Sequence, residues 1–381
     1  MTPTKETPQK RHYRESMSSR EANTPEVNMM RSYLIRLPRA MPRQLRWVMG
    51  DDLWSVIHSK QSRSRGPENL PRILRNHPAL KPQMRAILLD WIIEVCEVYN
   101  QLRDTYYLAM DLFDRYLLTT ENLPKEQLQL VGVACLFIAG KMEEIYPPQI
   151  NEYSYVSDGA CEDRQIIAKE LAILTALKWD ICPMTPNNWL TLFLQLSQLS
   201  PSISGNTEVS CLDSSTGDLL KSNICPQDFT ACAQLLDLCT LCMDSVCFSP
   251  LHLAASVIAH TLGCDEMEKV SGLNQNAINH CYQWMQPFVL TLREQSLLRP
   301  AATVNFNKQV HNVNLSLLER AQSMRHILHG KQSGNATHNN TPGIATPMKT
   351  PTSTRKRSFH DDIMTPPSTT KLMRLNDEDR R

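Results

Sequence analysis

The sequence predicts an all-α protein: two tandem five-helix blocks, an extra helix before them, and disordered tails at both ends. Three observations carry that reading. Residues 130–140 (LVGVACLFIAG) form an almost unbroken apolar run that turns abruptly to Lys141, Glu143 and Glu144 and stops at Pro147 and Pro148. A helix apolar on every side must be surrounded by other helices, and this run falls far short of the roughly 20 residues that cross a bilayer. A second apolar run, residues 250–262 (PLHLAASVIAHTL), takes the same place in a second set of helices. The two ends of the chain mix charge with Ser, Thr and Pro and lack an apolar period, as chains that cannot bury a core do.

Taken in order, residues 1–42 form the N-terminal tail, and residues 43–80 hold one helix and a linker. In that segment a periodic pattern runs from Leu45 to Leu74 (Leu45, Val48, Leu53, Trp54, Ile57), which predicts one helix laid against the next domain. The first block spans 81–184. Its first helix covers 82–99, with Pro82 suited to the first turn. Helices at 104–118, 124–144, 150–156 and 163–177 complete it.

The second block spans 185–300. Thr185 and Pro186 make an N-cap and N1 pair that opens a helix to residue 199. Residues 200–224 are a polar, Ser-rich insertion, longer than an ordinary helix connection. Helices resume at 227–243, 250–262, 266–271 and 275–294. Its central run ends without a Lys-x-Glu-Glu, so the two blocks are not expected to share a function. Residues 301–381 form the C-terminal tail, within which 315–328 keep the period of one more helix.

A formal charge of +1 over 381 residues leaves no electrostatic footprint for nucleic acid. The polar, mixed-charge residues 1–31 do not resemble a signal peptide. The 12 cysteines lie mostly within apolar helical pattern, the usage of reduced, core-filling thiols in cytosol or nucleus. Cys239 and Cys242 make a lone CxxC without a second pair at zinc spacing, and read as core. No metal and no cofactor is expected. There is no Gly-rich phosphate loop, no His-Arg-Asp loop and no ligand-spaced His/Cys/Asp group, so an enzyme is not expected either.

The helix MRAILLDWIIEVCEVY at 84–99 has a polar wedge of only Asp90, Glu94 and Glu97. Its apolar sector is far wider than the roughly 100° stripe that one core contact needs. Either all of it is core, or the edge near Glu94, with Met84, Ile87, Leu88 and Trp91, is a groove for a partner. Arg85 falls inside the apolar sector, where a charge needs a partner. The expected partner is Asp114, in a structural ion pair between the first two helices. Lys141 at the end of the central helix has two readings: a cation on a helix C-terminus, or half of a pair with Glu170 presented to a partner.

MRAILLDW at 84–91, FDRY at 113–116, LQLVG at 128–132 and KMEEIYPP at 141–148 resemble the cyclin box. YVSDGAC at 155–161, ALKW at 176–179, LLDLC at 235–239, KVSG at 269–272 and WM at 284–285 are similar to E-type cyclins in particular. The resemblance covers residues 47–294 and implies two cyclin-box folds in a regulatory, non-enzymatic subunit of a cyclin-dependent kinase, promoting the G1/S transition. By the same resemblance Lys141 and Glu170 engage the kinase, with Ile138, Met142, Glu144, Trp179 and Ile181 beside them. Met84, Ile87, Leu88, Trp91, Glu94 and Gln129 match a docking patch for Arg-x-Leu motifs of substrates and inhibitors. That match favours the groove, with the motif's arginine on Glu94.

Thr365, followed by Pro366 and Pro367 and by Thr369, resembles a phosphodegron read by a ubiquitin ligase. The family usually has Ser at the later position. Arg355, Lys356 and Arg357 form a short basic cluster in keeping with nuclear import; the resemblance implies a nuclear protein, with cytoplasm and centrosome as further expected locations. Gly140 stands where the family usually has Ala or Ser, and is expected to loosen the helix end by about 0.5–1 kcal/mol. The rival reading is a cyclin-fold scaffold or transcription-associated protein that activates no kinase.

Overall fold

The protein is described from a computed structural model covering residues 56–57, 66–199, 225–295 and 310–333. Twelve α-helices make up the described residues. A short helix, α1 (Asn69–Asn76), precedes the first block, which comprises α2 (Pro82–Val98), α3 (Arg103–Thr119), α4 (Leu128–Glu143), α5 (Ile150–Val156) and α6 (Asp163–Ala176). The second block comprises α7 (Pro186–Leu199), α8 (Pro226–Leu241), α9 (Pro250–Thr261), α10 (Cys264–Ser271) and α11 (Gln275–Glu294). A last helix, α12 (Leu315–Ser333), buries Leu317, Leu318 and Ala321 and packs on α11.

Local sequence explains the boundaries. Proline occupies the first helical position of α2, α8 and α9, where its missing N–H is not needed. Ser249 and Asn274 cap α9 and α11 by accepting from His252 N (3.2 Å) and Ala277 N (2.8 Å). Capping boxes open α5 (Gln149 with Glu152) and α6 (Glu162 with Gln165). At the end of α10, Gly272 takes a left-handed φ of 67°.

The expectation of one helix over residues 45–74 needs correction. Gly66 and Pro67 interrupt the pattern, and α1 begins only at Asn69. Ile57 packs against the core, whereas Leu45, Val48, Leu53 and Trp54 lie outside the described residues. So do the N-terminal tail, all of the polar insertion 200–224, and Thr365 and Thr369.

A second correction concerns the centre. The α4 run is buried as expected, but α3 shares that place, with every residue from Thr105 to Leu118 buried. Its charges hid this in the sequence. They are buried as pairs: Arg115 Nε donates to Asp111 Oδ2 (2.7 Å), Arg103 meets Asp237, and Asp114 meets Arg85. In the second block α8 is the counterpart, buried from Ala231 to Leu241.

Polar contacts bind the blocks together. Asn187 and Asn188 each donate to Asp104 Oδ1 (2.9 and 3.0 Å). Asp237 on α8 accepts from Tyr107 on α3 (2.7 Å) and faces His311, 2.9 Å away, in the segment before α12. Asn69 of α1 reaches Val246 O at 3.4 Å.

Candidate functional site

The end of α4 and the outer face of α6 form an exposed rim. Lys141 Nζ donates to Glu170 Oε1, linking the two helices. The ammonium also lies 4.0 Å from the centre of the Phe137 ring, one turn back on α4, a cation–π contact. Lys141 remains 39% exposed, so the pair faces solvent rather than the core.

The same two helices expose large apolar side chains that water covers at a cost: Met142 in the last turn of α4, Ile145 (86% exposed) and Tyr146 (92%) just after it, and Ile167 and Leu171 on α6 beside Glu170 in sequence. Trp179, 63% exposed, follows α6. Lys178 and Trp179 both adopt positive φ (53° and 60°), a conformation that disfavours ordinary side chains. The turn is held by Trp179 N donating to Leu174 O at 2.9 Å, and it projects the indole outward.

Ile145, Tyr146, Ile167 and Leu171 were not singled out from the sequence. The signal was present on α6, where Ile166, Ile173 and Leu174 supply the core and two further apolar residues remain on another face. Two expected members of the rim sit elsewhere. Ile138 is 2% exposed and belongs to the core beneath the rim, because it lies on the inward side of α4. Glu144 turns inward and accepts from Leu102 N (2.7 Å) and from the Thr105 hydroxyl, fixing the start of α3. Ile181 is half-buried against the core.

The second candidate surface lies on α2 and α4. Met84, Ile87, Glu94 and Gln129 are half-buried, while Leu88 and Trp91 are buried and form its floor. The helices approach closely at Gly132, where an added β-carbon would lie 2.8 Å from Leu88 Cδ1. Among the described residues, the buried Trp91 Nε1 has no hydrogen-bond partner. An acidic ridge borders the floor. Burial first, then Glu94 and Glu97, pushes the Asp90 carboxyl up to about 7, and burial and Glu97 raise Glu94.

The structure brings Arg85 and Asp114 together beneath this surface, with Nε donating to Oδ1 at 2.7 Å. α4 continues past Gly140 to Glu143, and the space beside Gly140 is taken by the Tyr153 hydroxyl. Cys239 and Cys242 are buried, and burial raises both thiols, Cys242 to about 11. Among the described residues no His, Cys, Asp and Glu group could hold a metal ion, and no helix is long and apolar enough to cross a membrane.

Comparison with known proteins agrees with this architecture. Residues 52–182 match the cyclin N-terminal domain and residues 184–313 the cyclin C-terminal domain. The chain is 38% identical to rat G1/S-specific cyclin-E1 over 335 residues, covering 86% of this chain and 76% of that protein. It is 39% identical to the mouse protein of that name over 301 residues, covering 77% and 70%. It is 36% identical to G1/S-specific cyclin-E of Hemicentrotus pulcherrimus over 318 residues, covering 82% and 72%. Two matched domains that span both helical blocks, with these relatives along most of the chain, place it in the cyclin family, among the E-type G1/S cyclins.

Proposed function

We propose that this cyclin, the regulatory and non-enzymatic subunit of a cyclin-dependent kinase at the G1/S transition, holds its kinase through the rim of Lys141 and Glu170. One observation carries the reading: a solvent-facing ion pair joins two helices that, with the turns after them, also expose Met142, Ile145, Tyr146, Ile167, Leu171 and Trp179. A charged pair on helices that also expose apolar side chains is what a partner helix with matching charge needs for both affinity and register. The mechanism is positional. Docking drives the kinase's αC helix inward, so that its glutamate meets the catalytic lysine and the activation loop opens. This chain supplies no group to ATP.

The groove over Leu88 and Trp91 is the proposed recruiter of Arg-x-Leu segments in substrates and inhibitors. The leucine enters the apolar floor, the arginine meets Glu94 and Asp90, and Trp91 Nε1 supplies a donor. Thr365 and Thr369 are proposed as a phosphodegron for a ubiquitin ligase, in a protein that works in the nucleus. The test is phosphorylation of a peptide by a purified, activation-loop-phosphorylated cyclin-dependent kinase. Added full-length chain raises the rate, and Lys141→Ala/Glu170→Ala loses most of that gain. An undiminished double variant would overturn the docking reading and favour a scaffold.

A further inference from the structure

Gly140 has an ordinary helical backbone, so its conformation does not demand glycine. Space does. A β-carbon built there would lie 2.6 Å from the Tyr153 hydroxyl oxygen and 3.3 Å from Gln101 Nε2. Tyr153, on α5 and 2% exposed, has its hydroxyl in that slot, where it accepts from Gln101 Nε2 at 3.1 Å. The tyrosine ring in turn meets Phe137 edge-on, with ring centres 5.5 Å apart and planes at 70°. Phe137 carries the Lys141 ammonium on its face at 4.0 Å.

We propose that Gly140 and Tyr153 are a matched pair of positioning residues that aim Lys141 at the kinase. The hydroxyl occupies the volume that a side chain at 140 would fill. That seats the tyrosine ring, the ring fixes Phe137, and Phe137 sets the direction of the lysine. The capping box of Gln149 and Glu152 anchors the helix from which Tyr153 projects. Interiors are packed too closely for this chain to absorb a methyl group without moving one of its members. The slot therefore turns a small-residue position in the helix into a determinant of where a surface charge points.

The inference rests on the docking role of Lys141, and its test separates the two. Kinase affinity is measured calorimetrically for the full chain and for Lys141→Ala, Gly140→Ala, Tyr153→Phe, Phe137→Leu and the pair Gly140→Ala/Tyr153→Phe. Gly140→Ala is expected to weaken binding about tenfold, a typical coupling between residues in contact. Adding Tyr153→Phe empties the slot for the new methyl group and should return affinity to within about threefold of the parent. Phe137→Leu is expected to weaken binding without disturbing the slot. In a Lys141→Ala background neither Gly140→Ala nor Phe137→Leu should weaken binding further, which a general loss of folding would not reproduce. A Lys141→Ala chain that binds normally overturns the docking reading itself. Losses that persist in the Lys141→Ala background, a pair that fails to recover, or a fully active Phe137→Leu chain overturn the positioning role.

Discussion

Arg85 grips Asp114 with two parallel hydrogen bonds, Nε to Oδ1 at 2.7 Å and Nη2 to Oδ2 at 2.8 Å. Its Nη1 turns away to the carbonyl of Thr240, 2.9 Å off on α8. Burial alone would lower the Arg85 pKa, but Asp114 outweighs it and the guanidinium is held above its ordinary range. One side chain thus joins α2, α3 and the second block. Arg85→Ala should destabilise the protein by about 3–5 kcal/mol, because it leaves a buried carboxylate without its cation. Removing both charges with Arg85→Met/Asp114→Leu should cost less than either single loss. Urea unfolding midpoints of the three variants check this.

Asp237 provides a pH prediction. Burial pushes its carboxyl up, yet Arg103 and His311 overcome burial and hold it below the ordinary value of 3.8. A carboxyl lowered on folding stabilises the protein above its unfolded value, and this contribution is lost as pH falls through the folded one. The parent should therefore lose stability steeply below about pH 4, and Asp237→Asn, already destabilised at neutral pH, should lose less over that range. Thermal melts from about pH 6 to pH 3 read the difference.

Glu144 separates support from docking. Its carboxylate serves Leu102 N and Thr105 at the start of α3, so Glu144→Ala should cost about 1–2 kcal/mol of stability. Kinase affinity measured well below the melting transition should stay within about twofold of the parent, since the side chain does not face the rim. Calorimetry and thermal melts on one preparation give both numbers.

Asp90, beside the proposed groove, should contribute to folding with the opposite pH dependence to Asp237. Asp90 is raised to about 7 by burial, Glu94 and Glu97, so its protonated form favours the folded free protein, and that contribution fades as pH rises from 3.8 through 7. A bound arginine favours the carboxylate and lowers this pKa. Affinity for an Arg-x-Leu peptide should therefore rise by about threefold between pH 6 and pH 8, with proton release near pH 7. Asp90→Asn should flatten the profile. Peptide titrations in buffers of different ionisation enthalpy measure both effects.

Much of this fold is written in local chemistry. Prolines at first helical positions, Ser249 and Asn274 at N-caps, and the apolar runs of α4 and α9 give helix order and the two-block plan. Periodicity reports the apolarity of a single helix and is silent about its neighbours. That is why α3, whose charges are paired with Arg85, Arg115 and Asp237, did not stand out in sequence as a buried helix. The same limit hid the second apolar face of α6 and the inward turn of Glu144. Gly140 read as a weakness because the hydroxyl that fills its place comes from another helix.

The central claim, that the kinase sits on the end of α4 and the outer face of α6, is tested most directly by amide hydrogen exchange with and without the kinase. Slowed exchange over residues 141–146 and 163–181, weakened in Lys141→Ala/Glu170→Ala, is the result this structure predicts. Protection confined to the second block, with those two segments unchanged, would contradict it.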